Sequence, residues 1–102
     1  MGVTAERLAA QYGVTRNDQD EYACQSHLKA AAAAIERGAF AEEIVPLELK
    51  KGRETILFSE DEPVRKDISI EKMAKLATVF QENGTVTAGN ACPMNDAAAA
   101  TW

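Results

Sequence analysis

The chain has 102 residues, the size of one small domain, and its sixteen acidic against eleven basic residues give a net charge of −5. That balance disfavours nucleic acid or an anionic membrane surface as the main partner. Two cysteines and one histidine do not support a disulfide framework or a zinc site, and no signal peptide or apolar run of about twenty residues occurs, so we expect a cytoplasmic protein with free thiols, no metal and no membrane span.

The chain opens with a predicted short helix over Ala5–Tyr12. Thr4 precedes it as a good N-cap, because its hydroxyl can accept a free N–H of the first turn. Gly13 follows it at the position where helices often end in the left-handed conformation.

A longer helix is predicted from Thr15 to Arg37, with Asp18 placed for a capping box. On it, Cys24 and His27 are three residues apart and can touch. A nucleophilic Cys–His pair is one interpretation of this spacing. A small core thiol beside a surface histidine is the commoner one, because the sequence shows no third group that would orient the imidazole.

The middle of the chain predicts a β-hairpin followed by a helix. The segment Phe40–Leu49 ends in a strand, Lys50–Arg53 makes a turn, and Glu54–Phe58 returns as a second strand. Ser69 then caps an amphipathic helix over Ile70–Phe80. Seven of the eleven basic residues fall in this part of the chain. These basic residues are consistent with binding of an anionic ligand and equally with an ordinary solvent-exposed face.

The stretch Gly84–Ala100 carries the most specific pattern. Its β-branched start predicts a strand over Thr85–Asn90, and Asn95 or Asp96 is placed to cap a helix that begins in the alanine run. From spacing alone this is an ordinary strand-to-helix connection. Its small residues also suit a narrow site walled by backbone, because Gly89 lets a ligand or another backbone approach closely.

The same stretch, TVTAGNACPMNDAAAA, resembles the TVTAGNAS-x-x-NDGAAA signature of the thiolases, which transfer acyl groups between a thioester and coenzyme A. The likeness continues through MGVTAERLAAQYGVTRNDQDEYACQSHLKAAAA, EEIVPLEL, DEPVR and KMAKLATVF, in the family's order. It implies an α+β chain: a small helical loop domain with a β-hairpin over residues 1–83, and a fragment of the α/β thiolase core over 84–102.

The resemblance implies a coenzyme A-binding surface. It places Arg65 by the adenine nucleotide, Leu76 and Phe80 along the pantetheine arm, and Ala88, Ala91 and Cys92 at the pantetheine amides. Lys72 stands where related sequences can have serine, and Met1 and Met94 match positions near the acyl group. Read without the family, Leu76 and Phe80 fit a core and Arg65 fits a surface charge. Cys92 stands where thiolases often have serine and is the weaker hydrogen-bond partner.

The family's nucleophilic cysteine, its Asn-Glu-Ala-Phe and Gly-His-Pro motifs and its Cys-Gly-Gly-Gly motif do not occur in these 102 residues. We therefore assign no catalytic residue and expect the chain alone to be inactive, because thiolysis needs an activated thiolate, a base and oxyanion donors. The expected function is a piece of an acetyl-CoA acetyltransferase that binds coenzyme A. The alternative is a free-standing, non-catalytic module for coenzyme A or a partner protein. We expect it to self-associate or to dock onto the rest of a thiolase core, burying Val86, Met94 and Trp102.

Overall fold

A computed structural model describes the whole chain, Met1–Trp102. Its elements are helix α1 (Gly2–Tyr12), helix α2 (Arg16–Ala30), a π-helical segment (Ala31–Glu36), strands β1 (Leu47–Lys51) and β2 (Glu54–Phe58), and helix α3 (Ile70–Ala74). The expected α+β class is confirmed. The chain forms two compact units: the first unit joins Met1–Ala23 to Ser69–Trp102, and the second unit is Cys24–Ile68. The division at residues 83 and 84 that the resemblance implies stays a prediction.

Helix α1 begins earlier than the sequence predicts. Its backbone hydrogen bonds start at the Met1 carbonyl, which accepts the N–H of Ala5 at 3.0 Å. Thr4 therefore lies inside the helix, and its prediction as the N-cap is wrong. The predicted end is confirmed, because Gly13 adopts the left-handed conformation with φ 67° and donates its N–H to Ala9.

Helix α2 begins with the predicted capping box. The Thr15 N–H donates to the Asp18 carboxylate at 2.9 Å, and the Asp18 N–H donates to the Thr15 hydroxyl at 3.1 Å. The alanine run then widens into the π-helix and the chain leaves at Gly38, whose φ is 58°. The predicted helical path from Thr15 to Arg37 is confirmed, with a change of helix type at Ala31.

The predicted hairpin is also confirmed. Strands β1 and β2 pair antiparallel, with Leu47 opposite Phe58 and Leu49 opposite Ile56, and Gly52 has a positive φ at the turn. Because side chains alternate along a strand, these four apolar residues share one face of the hairpin. All ten strand residues are exposed.

The third predicted helix is wrong in length. Ser69 caps it as expected, accepting the Lys72 N–H at 3.3 Å, but α3 ends at Ala74 instead of Phe80. Beyond it, the Val79 N–H donates to the Val86 carbonyl at 3.1 Å. The Val79 N–H therefore pairs with the segment that follows and not with a carbonyl of its own helix, so the local preference for helix is overridden.

The strand predicted at Thr85–Asn90 is also wrong. It contains one isolated bridge, between Thr78 and Thr87, and then turns, with the Asn90 and Ala91 N–H groups donating to the Thr87 carbonyl. No helix follows: residues 92–102 have no regular secondary structure. The predicted cap at Asn95 or Asp96 therefore has no helix to cap.

Buried residues concentrate in the first unit. They are Gly2, Glu6, Ala9, Asp20, Met73, Val86 and Thr87, whereas Cys24 and Ala31 are the buried residues of the second unit. Val86 is 4% exposed, which corrects the expectation that its apolar side is left for a partner to cover. The structure has no helix of the length and apolar character that a transmembrane span needs.

Candidate functional site

The Glu6 carboxylate, on α1, is hydrogen-bonded to the start of the stretch Gly84–Ala100, which we call the signature stretch. It accepts the Val86 N–H at 2.7 Å, the Thr85 N–H at 2.8 Å and the Thr85 hydroxyl at 2.9 Å. Glu6 is 5% exposed, and a buried carboxylate without donors would be costly. Here every donor comes from a segment some eighty residues away, so α1 and the signature stretch fix each other.

These hydrogen bonds also set the charge of Glu6. The Val86 N–H lowers the pKa of Glu6 below its ordinary value of 4.5; desolvation opposes that effect, and the Thr85 N–H and hydroxyl lower the pKa further. The carboxylate is therefore ionised at neutral pH and acts as an acceptor. It is a structural anion and does not supply a proton.

A second buried carboxylate, Asp20 on α2, connects α3 to the signature stretch through hydrogen bonds. One oxygen accepts Arg16 Nε at 2.8 Å and the other accepts Asn90 Nδ2 at 3.0 Å. Arg16 Nη2 in turn donates to the carbonyls of Met73 and Leu76, at 2.8 and 3.0 Å. The guanidinium thus bonds to one carbonyl within the last turn of α3 and to one just beyond its end.

Asn90 closes the turn at Thr87–Ala91. Its Oδ1 accepts the Thr87 N–H at 2.8 Å, and its Nδ2 also donates to the Thr85 carbonyl at 2.9 Å. The Thr87 hydroxyl accepts the Gly89 N–H at 3.1 Å. Because the side chain of Asn90 is bonded on both its oxygen and its nitrogen, the conformation of the turn is fully specified.

Gly89 brings this turn against the α3 region. A Cβ built at Gly89 would lie 2.6 Å from Leu76 Cδ1 and 2.7 Å from Met73 Sδ, so a larger residue there would require these side chains to move. The turn consequently lies on Met73 and Leu76. It turns Ala88 and Cys92 outward, and both are exposed.

The structure brings some of the predicted ligand residues together. Ala88, Ala91 and Cys92 lie on or next to the turn, and Leu76 contacts it through Gly89. Leu76 is 39% exposed, which leaves part of its side chain for a ligand. Lys72, on α3, is exposed.

Other predicted residues lie apart from the turn. Phe80 packs against Gly2, where any added Cβ would overlap its ring, and it remains half exposed. Met1 and Met94 are almost entirely exposed.

Arg65 belongs to the second unit, on the loop of residues 59–67. It lines an open depression of about 720 Å³ whose walls are Ile35, Leu57, Phe58, Ser59, Glu60, Asp61, Glu62, Val64, Arg65, Lys66 and Asp67. Its guanidinium makes no hydrogen bond or ion pair within the chain. Two basic side chains meet four acidic ones here, so an anion bound to this unit alone is held only weakly.

Sequence reasoning assigned no site role to Glu6, Arg16 or Asn90. One signal was available for Glu6, which shares a helical face with Gly2 and Ala9. Two small residues at that spacing indicate close packing, and a carboxylate between them must then find donors. For Arg16 and Asn90 no local pattern identifies partners sixty or seventy residues away.

Comparison with known proteins places this arrangement in a family. The family model described as "Thiolase, N-terminal domain" matches residues 1–102. The beta-ketothiolase BktB of Cupriavidus necator is 52% identical over 101 residues, which cover 98% of this chain and 25% of that protein. The acetyl-CoA acetyltransferase of Escherichia coli is 50% identical over 100 residues, with 98% and 25% covered. The chain thus spans about a quarter of the length of these relatives.

Solved structures give the same result. A crystal structure of the Bacillus anthracis acetyl-CoA acetyltransferase superposes with a TM-score of 0.82 at 50% sequence identity, over 89% of this chain and 23% of that one. A crystal structure of human mitochondrial 3-ketoacyl-CoA thiolase gives 0.75 at 41% identity, over 86% and 22%. The fold of this chain is therefore that of a portion of these proteins.

Proposed function

This chain belongs to the thiolase family, and from that premise we propose that it is the segment of an acetyl-CoA acetyltransferase that supplies coenzyme A-binding surface. The proposed reaction passes an acyl group between coenzyme A and a cysteine thioester that residues 1–102 do not provide. The proposed ligand residues are Arg65, Lys72, Leu76, Phe80, Ala88, Ala91 and Cys92, with Met1 and Met94 near the acyl group.

One observation carries this proposal: a rigid turn of small residues that faces outward. Asn90 bonds within the turn and to Asp20, and Glu6 accepts the N–H groups just before it, so we expect the turn to need little ordering when a ligand binds. Its small outward side chains at Ala88 and Cys92 leave room for a narrow, amide-containing chain beside Leu76. A pantetheine arm has that shape and chemistry.

Arg65 supplies the complementary charge in the proposal. Its guanidinium has no partner within the chain and can donate two parallel hydrogen bonds to a phosphate. A charge-assisted hydrogen bond contributes about 1.5–3 kcal/mol. The acidic neighbours of Arg65 offset part of that attraction, so we expect the 102 residues alone to bind coenzyme A weakly.

The test places these 102 residues in the E. coli acetyl-CoA acetyltransferase in exchange for the matching segment. Thiolysis of acetoacetyl-CoA then reports kcat and the KM for coenzyme A. Arg65→Ala should raise that KM about tenfold or more, since it removes a charge-assisted bond. Lys29→Ala, which removes an exposed positive charge of the same unit from α2, is the matched control and should leave the KM unchanged. Equal KM values for Arg65→Ala and the parent chimera remove Arg65 from the site.

The chain alone should show no thiolysis. Activity of the isolated 102 residues that disappears in Cys92→Ala contradicts this and makes Cys92 a nucleophile.

A second function, a free-standing module that binds coenzyme A or a partner protein without catalysis, is favoured by one observation. Every buried polar side-chain atom has a hydrogen-bond partner within the chain. A piece that satisfies its own polar groups needs no further segment for that purpose. Sedimentation of the isolated chain separates the two functions: a stable monomer favours the module, and self-association favours the segment.

A further inference from the structure

Arg16, on α2, makes three contacts that the proposed function leaves unused. Its Nη2 donates to the carbonyls of Met73 and Leu76, at 2.8 and 3.0 Å. Its Nε donates to Asp20 Oδ2 at 2.8 Å. The Arg16 side chain is 26% exposed and that of Asp20 is 2% exposed, so little water competes for these bonds. Because the guanidinium is planar and bonded along two edges, its orientation within the first unit is well defined.

Leu76, a proposed pantetheine contact, lies beyond the end of α3. The helix ends at Ala74, and the Leu76 N–H then donates to the Met73 carbonyl at 3.2 Å. The Leu76 carbonyl accepts Arg16 Nη2. Because the carbonyl carbon is bonded to the Leu76 Cα, Arg16 constrains the point from which the side chain projects. The contact with Gly89 acts on the side chain itself, so the two constraints apply to different atoms of Leu76.

Asp20 orients the guanidinium relative to the turn Thr87–Ala91. One carboxylate oxygen accepts Arg16 Nε, and the other accepts Asn90 Nδ2 at 3.0 Å. Asn90 belongs to the turn and its Oδ1 also bonds to the turn's backbone. A continuous series of hydrogen bonds therefore runs from the backbone of Leu76 through Arg16 and Asp20 to the turn.

We propose that Arg16 is a positioning residue for coenzyme A binding: its guanidinium, oriented by Asp20, holds Leu76 beside the turn in the arrangement that a pantetheine arm contacts. This inference rests on the proposed function and deepens it. Arg16 has no proposed contact with coenzyme A and acts through Leu76.

The experiment uses the 102-residue chain and coenzyme A itself as the probe. Nuclear magnetic resonance reads the dissociation constant and the Leu76 methyl signals, well below the melting temperature of each variant. Arg16→Ala should move the Leu76 methyl signals and weaken coenzyme A binding about fivefold, as loss of a hydrogen bond implies.

Arg16→Lys keeps a positive charge beside the buried Asp20, so it serves as the test if Arg16→Ala does not fold. One ammonium cannot bond to Asp20 and to both carbonyls in the directions that a guanidinium fork provides. Arg16→Lys should therefore also move the Leu76 methyl signals and weaken binding about threefold or more.

Two controls separate positioning from charge and from stability. Arg7→Ala removes an exposed positive charge of the same unit and should bind like the parent. Gly13→Ala places a side chain at φ 67°, where its Cβ meets nothing within 4 Å, so it destabilises the chain by backbone strain alone. It should lower the melting temperature and leave the affinity for coenzyme A unchanged. Weaker binding by Gly13→Ala, equal to that of Arg16→Ala, would mean that lost stability explains the effect and that the inference is wrong.

A double variant tests the route. Arg16→Ala/Leu76→Ala should bind no more weakly than Leu76→Ala alone, because Arg16 acts through Leu76. If the Arg16→Ala effect persists in full in the Leu76→Ala background, the inference is wrong.

The inference and the proposed function fail in different ways. If Leu76→Ala weakens binding and neither Arg16 variant does, the positioning role is wrong and the site stands. If Leu76→Ala leaves the affinity unchanged, Leu76 is not part of the site, and the role of Arg16 is wrong with it.

Discussion

The two units hold their proposed ligand residues in opposite ways. In the first unit, Glu6 and Asp20 are buried, and both accept hydrogen bonds from the segment of residues 85–90. In the second unit, the backbone N–H of Arg65 donates to the half-buried His27 Nδ1, and every strand residue is exposed. The proposed wall for a pantetheine arm thus belongs to the unit with buried hydrogen bonds, whereas Arg65, the proposed phosphate-binding residue, belongs to a unit with few buried residues.

Glu6→Ala tests the hydrogen-bond network of the first unit and should have the largest effect on the stability of the chain. It leaves the N–H groups of Thr85 and Val86 without their acceptor in a buried place. We expect the melting temperature, followed by circular dichroism, to fall by roughly 10 °C or more. Arg7→Ala, an exposed neighbour on α1, should change it by less than about 2 °C. Equal melting temperatures for the two variants contradict the importance of the Glu6 network.

Gly89→Ala tests how closely the turn lies on Met73 and Leu76. The added methyl would lie 2.6 Å from Leu76 and 2.7 Å from Met73. Met73 is 2% exposed and has no room to retreat, whereas Leu76 can shift toward solvent. We expect a loss of about 1–3 kcal/mol of unfolding free energy in urea. Ala88→Ser adds one atom at the exposed neighbouring position and should cost less than about 0.5 kcal/mol. A Gly89→Ala chain as stable as Ala88→Ser shows that the contact is loose.

The pH dependence of stability should come from the first unit. The N–H and hydroxyl donors of Val86, Thr85 and Thr15 lower the pKa of Glu6 below 4.5 and that of Asp18 below 3.8. Groups with a lowered folded pKa contribute stability that is complete above the unfolded pKa and is lost as the pH falls through the folded one. Melting temperatures should therefore be level from pH 7 to 5 and decline below about pH 4.5. Glu6→Gln should flatten the upper part of that decline. The same slope in both chains shows that other carboxylates govern it.

The features that the sequence predicted correctly are all local. The Thr15–Asp18 box, the left-handed end at Gly13, the Ser69 cap and the hairpin each depend on residues within a few positions of one another. Capping and turn chemistry acts over that range, so a single sequence contains the information.

The failures depend on partners far away in the sequence. The β-branched run at Thr85–Thr87 indicated a strand, but the Glu6 carboxylate takes the N–H groups of Thr85 and Val86. Helix α3 also ends early, and Arg16 donates to carbonyls at and beyond its end, Met73 and Leu76, from about sixty residues away. In the site, the resemblance supplied Ala88, Cys92 and Leu76, and the structure places them close to one another. It could not supply the network behind them, because no spacing rule connects Glu6 to Thr85.

The hairpin of the second unit gives the smallest expected effect and the sharpest check on the comparison. Leu47, Leu49, Ile56 and Phe58 share one face, and Leu49 is 44% exposed. Leu49→Thr removes little buried apolar area and keeps a residue that favours strands, so it should cost less than about 1 kcal/mol. Leu57→Thr, on the opposite face and 64% exposed, is the matched control and should lower the unfolding free energy by no more than Leu49→Thr does.

A loss above about 2 kcal/mol in Leu49→Thr alone would mean that this face is covered in solution, because an exposed leucine cannot contribute that much. Repeating the urea titration at ten times the protein concentration then identifies what packs against this face. A loss that grows with concentration means that a second copy packs on the hairpin, since a dimer gains stability by mass action. A loss that does not change with concentration means that the hairpin packs within its own chain, and the contrast between a firmly held first unit and a lightly held second one would no longer stand.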